Sequence, residues 1–271
     1  MPEPRSFFIP GDDDSTLIPT KWSRSAWDPA QLNGPAVCAV AARAIERDFA
    51  DPDFVPARIT IDLFKAARSL PTVVTTALVR SGRRIIVADA EVRQDDVTVA
   101  RATAVFLRRS APPPGTEWQP SATFSPPSDE EEDNTLRHPW LQSDDTDWTR
   151  DIGGHQNASR KRAWSTAMPV LPNEPASPFI HAVQSAESTS LVTNLGTDGI
   201  GYINCDLTMA LSRVPEGDQL GIEADSHITA DGISVGTATL YDRKGPYGTG
   251  MVTAVSNPAA QIDFASRSRL V

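Results

Sequence analysis

The chain has 271 residues, a formal net charge of −10, 39% hydrophobic and 22% charged residues, the make-up of a soluble globular protein. No apolar run reaches the roughly 20 residues needed to span a bilayer, and the first ten residues lack a basic-then-apolar leader, so neither a membrane nor a secreted protein is expected. Ten acids against Arg137 and Arg150 put −8 of the −10 into residues 110–151, and no basic face is left for nucleic acid.

In chain order, Phe7-Phe8-Ile9 and the stretch 16–22 open a first unit. Pro35 starts a predicted helix over 35–49, with Val37, Val40, Ala41, Ala44 and Ile45 at helical spacing. Its Ala-rich, apolar make-up predicts burial along most of its sides. Alternating runs at 72–80, 85–93 and 97–107, parted by Ser-Gly-Arg and Asp-Asp turns, predict an antiparallel meander. Residues 110–162 carry Pro-Pro-Pro, Ser-Pro-Pro and Asp-Glu-Glu-Glu-Asp runs and read as an extended linker, with His138-Pro139-Trp140-Leu141 docking on the surface. A second unit begins near 163–170. It continues with a helix over 178–195 carrying Phe179, Ile180, Val183, Ala186 and Leu191, then strands at 219–229, 233–241 and 248–256 around an Asp231-Gly232 turn.

The chain repeats itself. Residues 58–71, RITIDLFKAARSLP, align without a gap on 202–215, YINCDLTMALSRVP, at an offset of 144 that puts Ile59 on Ile203 and Asp62 on Asp206. The same offset brings Gly34-Pro35 onto Pro178-Phe179, and the offset grows to 150 where Ile86–Ala90 meets Gly236–Leu240. A buried helix followed by a meander, met twice, predicts an α+β fold with an antiparallel sheet wrapped on each helix. The expected halves are 1–109 and 163–271, joined by the 110–162 linker.

Asp62 and Asp206 sit early in otherwise uncharged strands. A carboxylate there either solvates an outward face or serves as a general base on water. At the helix starts, Asn33-Gly34-Pro35 and Ser177-Pro178 are open to two readings: simple capping, or unpaired N–H groups that hold an oxyanion, with Gly34 allowing close approach. Cys38 and Cys205 lie in apolar surroundings without His or Cys partners and read as buried free thiols in a reducing cytosol, not as a zinc site. His155, His181 and His227 fit no catalytic pattern, and there is no G-x-S-x-G elbow, P-loop or dinucleotide fingerprint. No cofactor is implied.

The run RITIDLFKAARSLP…ALVRSGRRIIVADAEVRQDDVTVARATAVFLRR, preceded by Leu32-Asn33-Gly34, resembles the first half of acyl-CoA thioesterase II-type proteins. INCDLTMALSR, VPEGDQLGIEADSHITADG and ATLYDRKGPYGTGMV resemble their second half. The resemblance covers nearly the whole chain outside the linker and implies a double-hotdog fold. It implies an attacking water held by an Asp, a Thr or Ser, and a Gln. These fall on Asp206, on Ser226, and on Val252 or Thr253, so the Gln is absent and Thr253 offers a hydroxyl in its place. Asn33 and Gly34 of the opposite half would then bind the thioester oxygen, with Asp62 also at the substrate. The implied activity is cytoplasmic hydrolysis of acyl-CoA or carrier-bound acyl thioesters. The alternatives are a non-hydrolytic acyl-thioester-binding protein and a hotdog hydratase or dehydratase. A monomer is feasible, and exposed sheet edges allow a homo-oligomer.

Overall fold

The computed structural model describes residues 4–13, 15–119, 124–128 and 139–267. Strands β1 (Phe8–Pro10) and β2 (Thr16–Pro19) come first. Asn33 then stays extended, its side chain accepts the Ala36 amide, and helix α1 (Gly34–Phe49) begins. Pro35 in the first turn forfeits no helical hydrogen bond. Four strands follow: β3 (Phe54–Leu63), β4 (Thr72–Ser81), β5 (Ile85–Gln94) and β6 (Val97–Arg108). Ile86, Ala88, Ala90 and Val92 of β5 alternate inward against α1, as a half-buried strand requires. Asp95 and Asp96 take φ of 45° and 62°, and Asp231 and Gly232 take 51° and 77°, so both turns that the aspartates marked are of the left-handed kind that suits tight hairpins.

The second half starts with β7 (Trp140–Ser143), β8 (Thr146–Thr149) and β9 (Lys161–Thr166). Next come α2 (Pro178–Glu187), α3 (Thr189–Asn194), a small hairpin of β10 (Leu195–Gly196) and β11 (Gly199–Ile200), and β12 (Tyr202–Asn204). The meander is β13 (Asp206–Leu211), β14 (Gln219–Ala230), β15 (Ile233–Asp242) and β16 (Gly245–Ser256), followed by α4 (Phe264–Arg267). The two half-sheets fuse edge to edge. The order is β1-β2-β4-β5-β6-β3-β13-β16-β15-β14-β9-β7-β8, with β12 beside β16, and every pairing is antiparallel. One apolar core runs through both halves, from Val40 and Ile45 of α1 to Val183 of α2 and from Ile61 to Leu207 of the sheet. Ala36, Ala39, Ala41 and Ala42 are fully buried, and such small side chains let the α1 and α2 backbones pack closely.

Three expectations change. The predicted helix over 178–195 breaks at Ser188. There Thr189 and Thr193 donate their hydroxyls back to the carbonyls of Ala186 and Thr189, a competition that disturbs helices. Residues 139–162 are not a free spacer: Trp140–Ser143 pairs with β9, Leu141 is wholly buried, and His155 is clamped between Ser143 Oγ at 3.2 Å and Thr149 Oγ1 at 2.9 Å. The acidic run at 129–133 and His138 lie outside the described residues.

The third change concerns the repeat. Each meander has a bulge in the same place, after Leu78–Ala88 in one half and after Ala224–Ala238 in the other, so β5 maps onto β15 at the expected offset of 150. Followed across the ladders, Ala88 leads to Ala104 and Ile59, and Ala238 leads to Gly250 and Met209. Ile59 therefore corresponds to Met209, not to Ile203. These two also face each other across the seam, so the approximate two-fold axis passes between them. Asp62 and Asp206 are not repeat counterparts but direct cross-strand partners. The helix starts keep the 144 offset, Asn33 with Ser177. The six residues from Leu195 to Ile200, the β10–β11 hairpin, have no counterpart in the first half and move everything after them.

Candidate active site

The start of α1 leaves one donor over. Asn33 Oδ1 accepts from Ala36 N at 2.9 Å, Asn33 O accepts from Val37 N, and Pro35 has no N–H. Asn33 Nδ2 is spent on the carbonyls of Trp22 and Arg24. Of the four first-turn positions, only Gly34 keeps an amide N–H without a partner among the described residues. Asn33 is thus a cap, as the simpler reading had it, and Gly34 carries the free N–H of the other reading.

A carboxylate not singled out from the sequence lies against this glycine. A Cβ on residue 34 would overlap Oε1 of Glu187, the last residue of α2. Glu187 Oε1 also accepts a long, 3.4 Å bond from Asn204 Nδ2 on β12. Glu187 retains some exposed surface, yet the protein around it is dense enough that burial raises its carboxyl from an ordinary 4.5 to about 8; the Asn204 bond works the other way. Both descriptions fit a carboxyl open on one side only. Cys38 lies one turn along α1, wholly buried, its thiol pushed up by burial and then by the Glu187 charge, so it is an inert neutral thiol. Cys205 departs from expectation: it is exposed, at the break between β12 and β13.

Asp206 and Thr253 come together through the backbone. The ladder to β16 is interrupted between Asn204–Ala254 and Thr208–Met251, and Asp206 Oδ1 accepts from Thr253 N at 2.8 Å where a main-chain carbonyl would otherwise serve. Asp206 Oδ2 has no hydrogen-bond partner among the described residues. Asp62 is exposed and faces Asp206 on one side and Arg101 on the other. The next pair down the seam, Thr60 and Thr208, meets hydroxyl to hydroxyl at 3.2 Å on the face away from the helices. Ser226 is not part of this group. Its Oγ pairs with Thr237 Oγ1 at 2.8 Å, and β15 and β16 separate it from β13, on the order of 14 Å at the usual strand spacing. The structure therefore brings together Asp62, Asp206 and Thr253, and separately Gly34, Glu187 and Asn204. Asn204 joins the groups, two residues before Asp206 on the same chain. The signal for Glu187 was present in the sequence as the one acid in FIHAVQSAES, in a helix with no other Asp, Glu, Lys or Arg.

Family models match almost end to end. That of the acyl-CoA thioesterase N-terminal domain covers residues 23–107, and that of the acyl-CoA thioesterase C-terminal domain covers residues 108–251. The chain belongs to the acyl-CoA thioesterase family. The reaction that its site must perform is hydrolysis of an acyl-CoA thioester. The junction between the two matches falls at the end of β6, so Gly34 lies in the thioesterase N-terminal domain and Glu187, Asn204 and Asp206 in the C-terminal domain. No curated protein matches the chain. Among solved structures, the tesB protein of Mycobacterium avium subsp. paratuberculosis is 16% identical with a TM-score of 0.67, over 92% of this chain and 95% of that one. A putative thioesterase II from Thermobifida fusca YX is 14% identical with a TM-score of 0.66, over 95% and 99%. The acyl-CoA thioesterase II TesB2 of Mycobacterium marinum is 15% identical with a TM-score of 0.63, over 91% and 93%. At these identities the likeness is one of fold, and the fold is the double hotdog.

Proposed function

We propose that this thioesterase hydrolyses its substrate at the start of α1, with Gly34 N–H holding the thioester oxygen and Glu187 activating water. The observation that carries this reading is the Glu187 carboxylate packed on Gly34, beside the one amide of that helix start with no other partner. A donor fixed in advance where negative charge develops is a large source of rate enhancement. A carboxyl near 8 is a strong base when ionised, well matched to taking a proton from water. In the forward step the water oxygen bonds to the thioester carbon as Glu187 takes a water proton. The carbonyl electrons move to the oxygen held by Gly34. They return as the carbon–sulfur bond breaks, and the proton passes from Glu187 to the leaving CoA sulfur. Water and thioester yield acid and thiol, with Glu187 regenerated.

Asp206 then acts by position. Through Thr253 N it anchors the strand that presents Asn204 to Glu187. A carrier-bound acyl group offers the same thioester, so both substrate forms fit this site. Cys38 and Cys205 are both free thiols, which suits a reducing, cytosolic setting.

The test is release of free CoA from a panel of acyl-CoAs. Glu187→Gln should lower kcat by roughly a thousandfold with the fold intact, the scale of a lost general base. Asp206→Asn, whose amide oxygen can still accept from Thr253 N, should retain most of the activity. The opposite ranking would move the base to Asp206, and no CoA release from any acyl-CoA would sink the hydrolytic reading.

A further inference from the structure

The two helix starts are flanked by loops of opposite charge. At α1 the flanking stretches are 20–33, which leads into the helix, and 64–71, which follows β3. They carry Lys21, Arg24, Lys65 and Arg68 against Asp28 alone. At α2 the stretches in the same places are 167–177 and 212–218, and they carry Arg213 against Glu174, Glu216 and Asp218. The charge of Asp218 acts on His181 in the first turn of α2. Both halves build the same fold, so the fold itself does not require this difference of sign. A positive rim is what an anionic substrate needs.

Hydrogen bonds tie the positive loops to the site. Arg24 bridges Leu32, and its carbonyl accepts at 3.3 Å from the side chain of Asn33, the neighbour of Gly34. Ala67 O accepts from Leu32 N at 2.8 Å, and Arg68 bridges Gln31. On the other side Leu63 N donates at 2.8 Å to the carbonyl of Cys205, the residue between Asn204 and Asp206. By chain length these links hold the Cα atoms of Arg24, Lys65 and Arg68 within about 20 Å of Gly34. The pantetheine arm of CoA is as long as about four extended residues, roughly 15 Å. A nucleotide whose thioester lies at Gly34 therefore comes within reach of these long side chains.

Arg24, Lys65 and Arg68 are exposed, and their side chains form no ion pair or hydrogen bond among the described residues. Asp28 is turned to Ala30 N at 2.8 Å and Gln31 Nε2 at 3.4 Å. Asp62, exposed at the end of β3, has Arg101 opposite it on β6. The backbone under Arg68 is fixed. Buried Gln94 accepts from Arg68 N at 2.8 Å and reaches the carbonyls of Arg68 and Leu70 and Thr72 Oγ1 at 2.7–3.3 Å. Phe64, beside Lys65, is 58% exposed, and a free ring next to cations suits a nucleotide base. We propose that Arg24, Lys65 and Arg68 form the subsite that receives the phosphates of the CoA nucleotide, with Phe64 beside the adenine. The inference rests on the thioesterase reading above and names where the leaving half of its substrate binds.

The experiment compares hexanoyl-CoA with the hexanoyl esters of phosphopantetheine and of pantetheine, which carry a single phosphate and none. In the full-length protein the KM for the CoA ester should lie roughly thirtyfold below that for the pantetheine ester, several-fold for each exposed cation, and added salt should narrow the gap. The triple variant Arg24→Gln, Lys65→Gln, Arg68→Gln should close the gap by raising the KM for the CoA ester alone. Unchanged hydrolysis of the pantetheine ester shows that this variant is folded. A second triple variant, Arg80→Gln, Arg83→Gln, Arg84→Gln, removes the same charge from the β4–β5 hairpin and should keep the gap. A gap that is absent, that survives the first variant, or that the hairpin variant closes equally overturns the inference and leaves the thioesterase reading standing. So does a phosphopantetheine ester taken as well as the CoA ester, since the nucleotide is then not read. If nothing is hydrolysed, calorimetry with CoA itself judges the subsite separately. Binding weakened by the first variant and not by the hairpin variant supports it, and binding absent or equal in all three proteins overturns it.

Discussion

The two helix starts receive the same visitor and treat it differently. At α1, Glu187 from α2 lies on Gly34; at α2, Glu46 from α1 reaches Ser177. The Ser177 hydroxyl donates to Glu46 Oε2 at 2.6 Å and accepts from Ile180 N at 3.2 Å, so cap and carboxylate are both satisfied. Burial raises the Glu46 carboxyl and the Ser177 bond works against the rise. Among the described residues Glu187 has only the 3.4 Å contact to Asn204, and burial raises it to about 8. At one start a serine hydroxyl bonds the visiting carboxylate, and at the other the carboxylate lies on a glycine that offers it no side-chain partner. Under the proposed function, one end of the duplicated architecture reacts and the other supports.

Substitutions at the two starts should separate them. After the loss expected from Glu187→Gln, the next largest effect belongs to Gly34→Ala. Its Cβ displaces the carboxylate and crowds the amide, and kcat should fall by roughly a hundredfold, the scale of losing one oxyanion donor. Full activity in Gly34→Ala would mean that the two starts do not differ as described. The pH profile comes next. Glu187 must be ionised to accept a proton, so kcat/KM should rise with pH and level off above about 8. A profile flat from pH 6 to 9 would rule out the raised carboxyl as the base.

Stability runs the opposite way. Between an ordinary 4.5 and about 8, folded Glu187 keeps a proton that the unfolded chain has released. Its contribution is complete below 4.5 and is lost as pH rises through 8, a change on the order of a few kcal/mol. Thermal melts should therefore show Glu187→Gln gaining on the parent protein as pH climbs from 5 to 9. The smallest effect is at the other start: Ser177→Ala should cost about 1 kcal/mol of stability through the lost cap and leave the pH profile of activity in place.

Much of the fold was legible because it depends on local pattern. Strand spans at 72–80, 85–93, 97–107 and 219–229 agree with β4, β5, β6 and β14 to within a residue, since alternation and turn residues declare themselves over short windows. The break at Ser188 was harder to read, because Ser and Thr back-bonding depends on side-chain geometry rather than on apolar spacing. β7 escaped because a four-residue strand inside Pro- and acid-rich surroundings carries little periodic signal. The repeat was visible, but its register was misread. A gapless match centred on the two aspartates is attractive, and only the ladders reveal that a hairpin displaces one copy by six residues.

The site was legible in part for the same reason. Asn33 and Gly34 announced a helix start by residue type alone. Asp206 and Thr253 prove to be neighbours through a main-chain amide, whereas Ser226 is carried off by two intervening strands. Glu187 gains its character from a tertiary event: α2 of one half ends where α1 of the other begins, and protein, not water, surrounds the carboxylate there. The sequence by itself determined two buried helices, two meanders and a glycine at one helix start, all products of propensity and pattern along the chain. Only the tertiary structure decided which carboxylate meets that glycine, because burial and proximity arise between segments more than 150 residues apart.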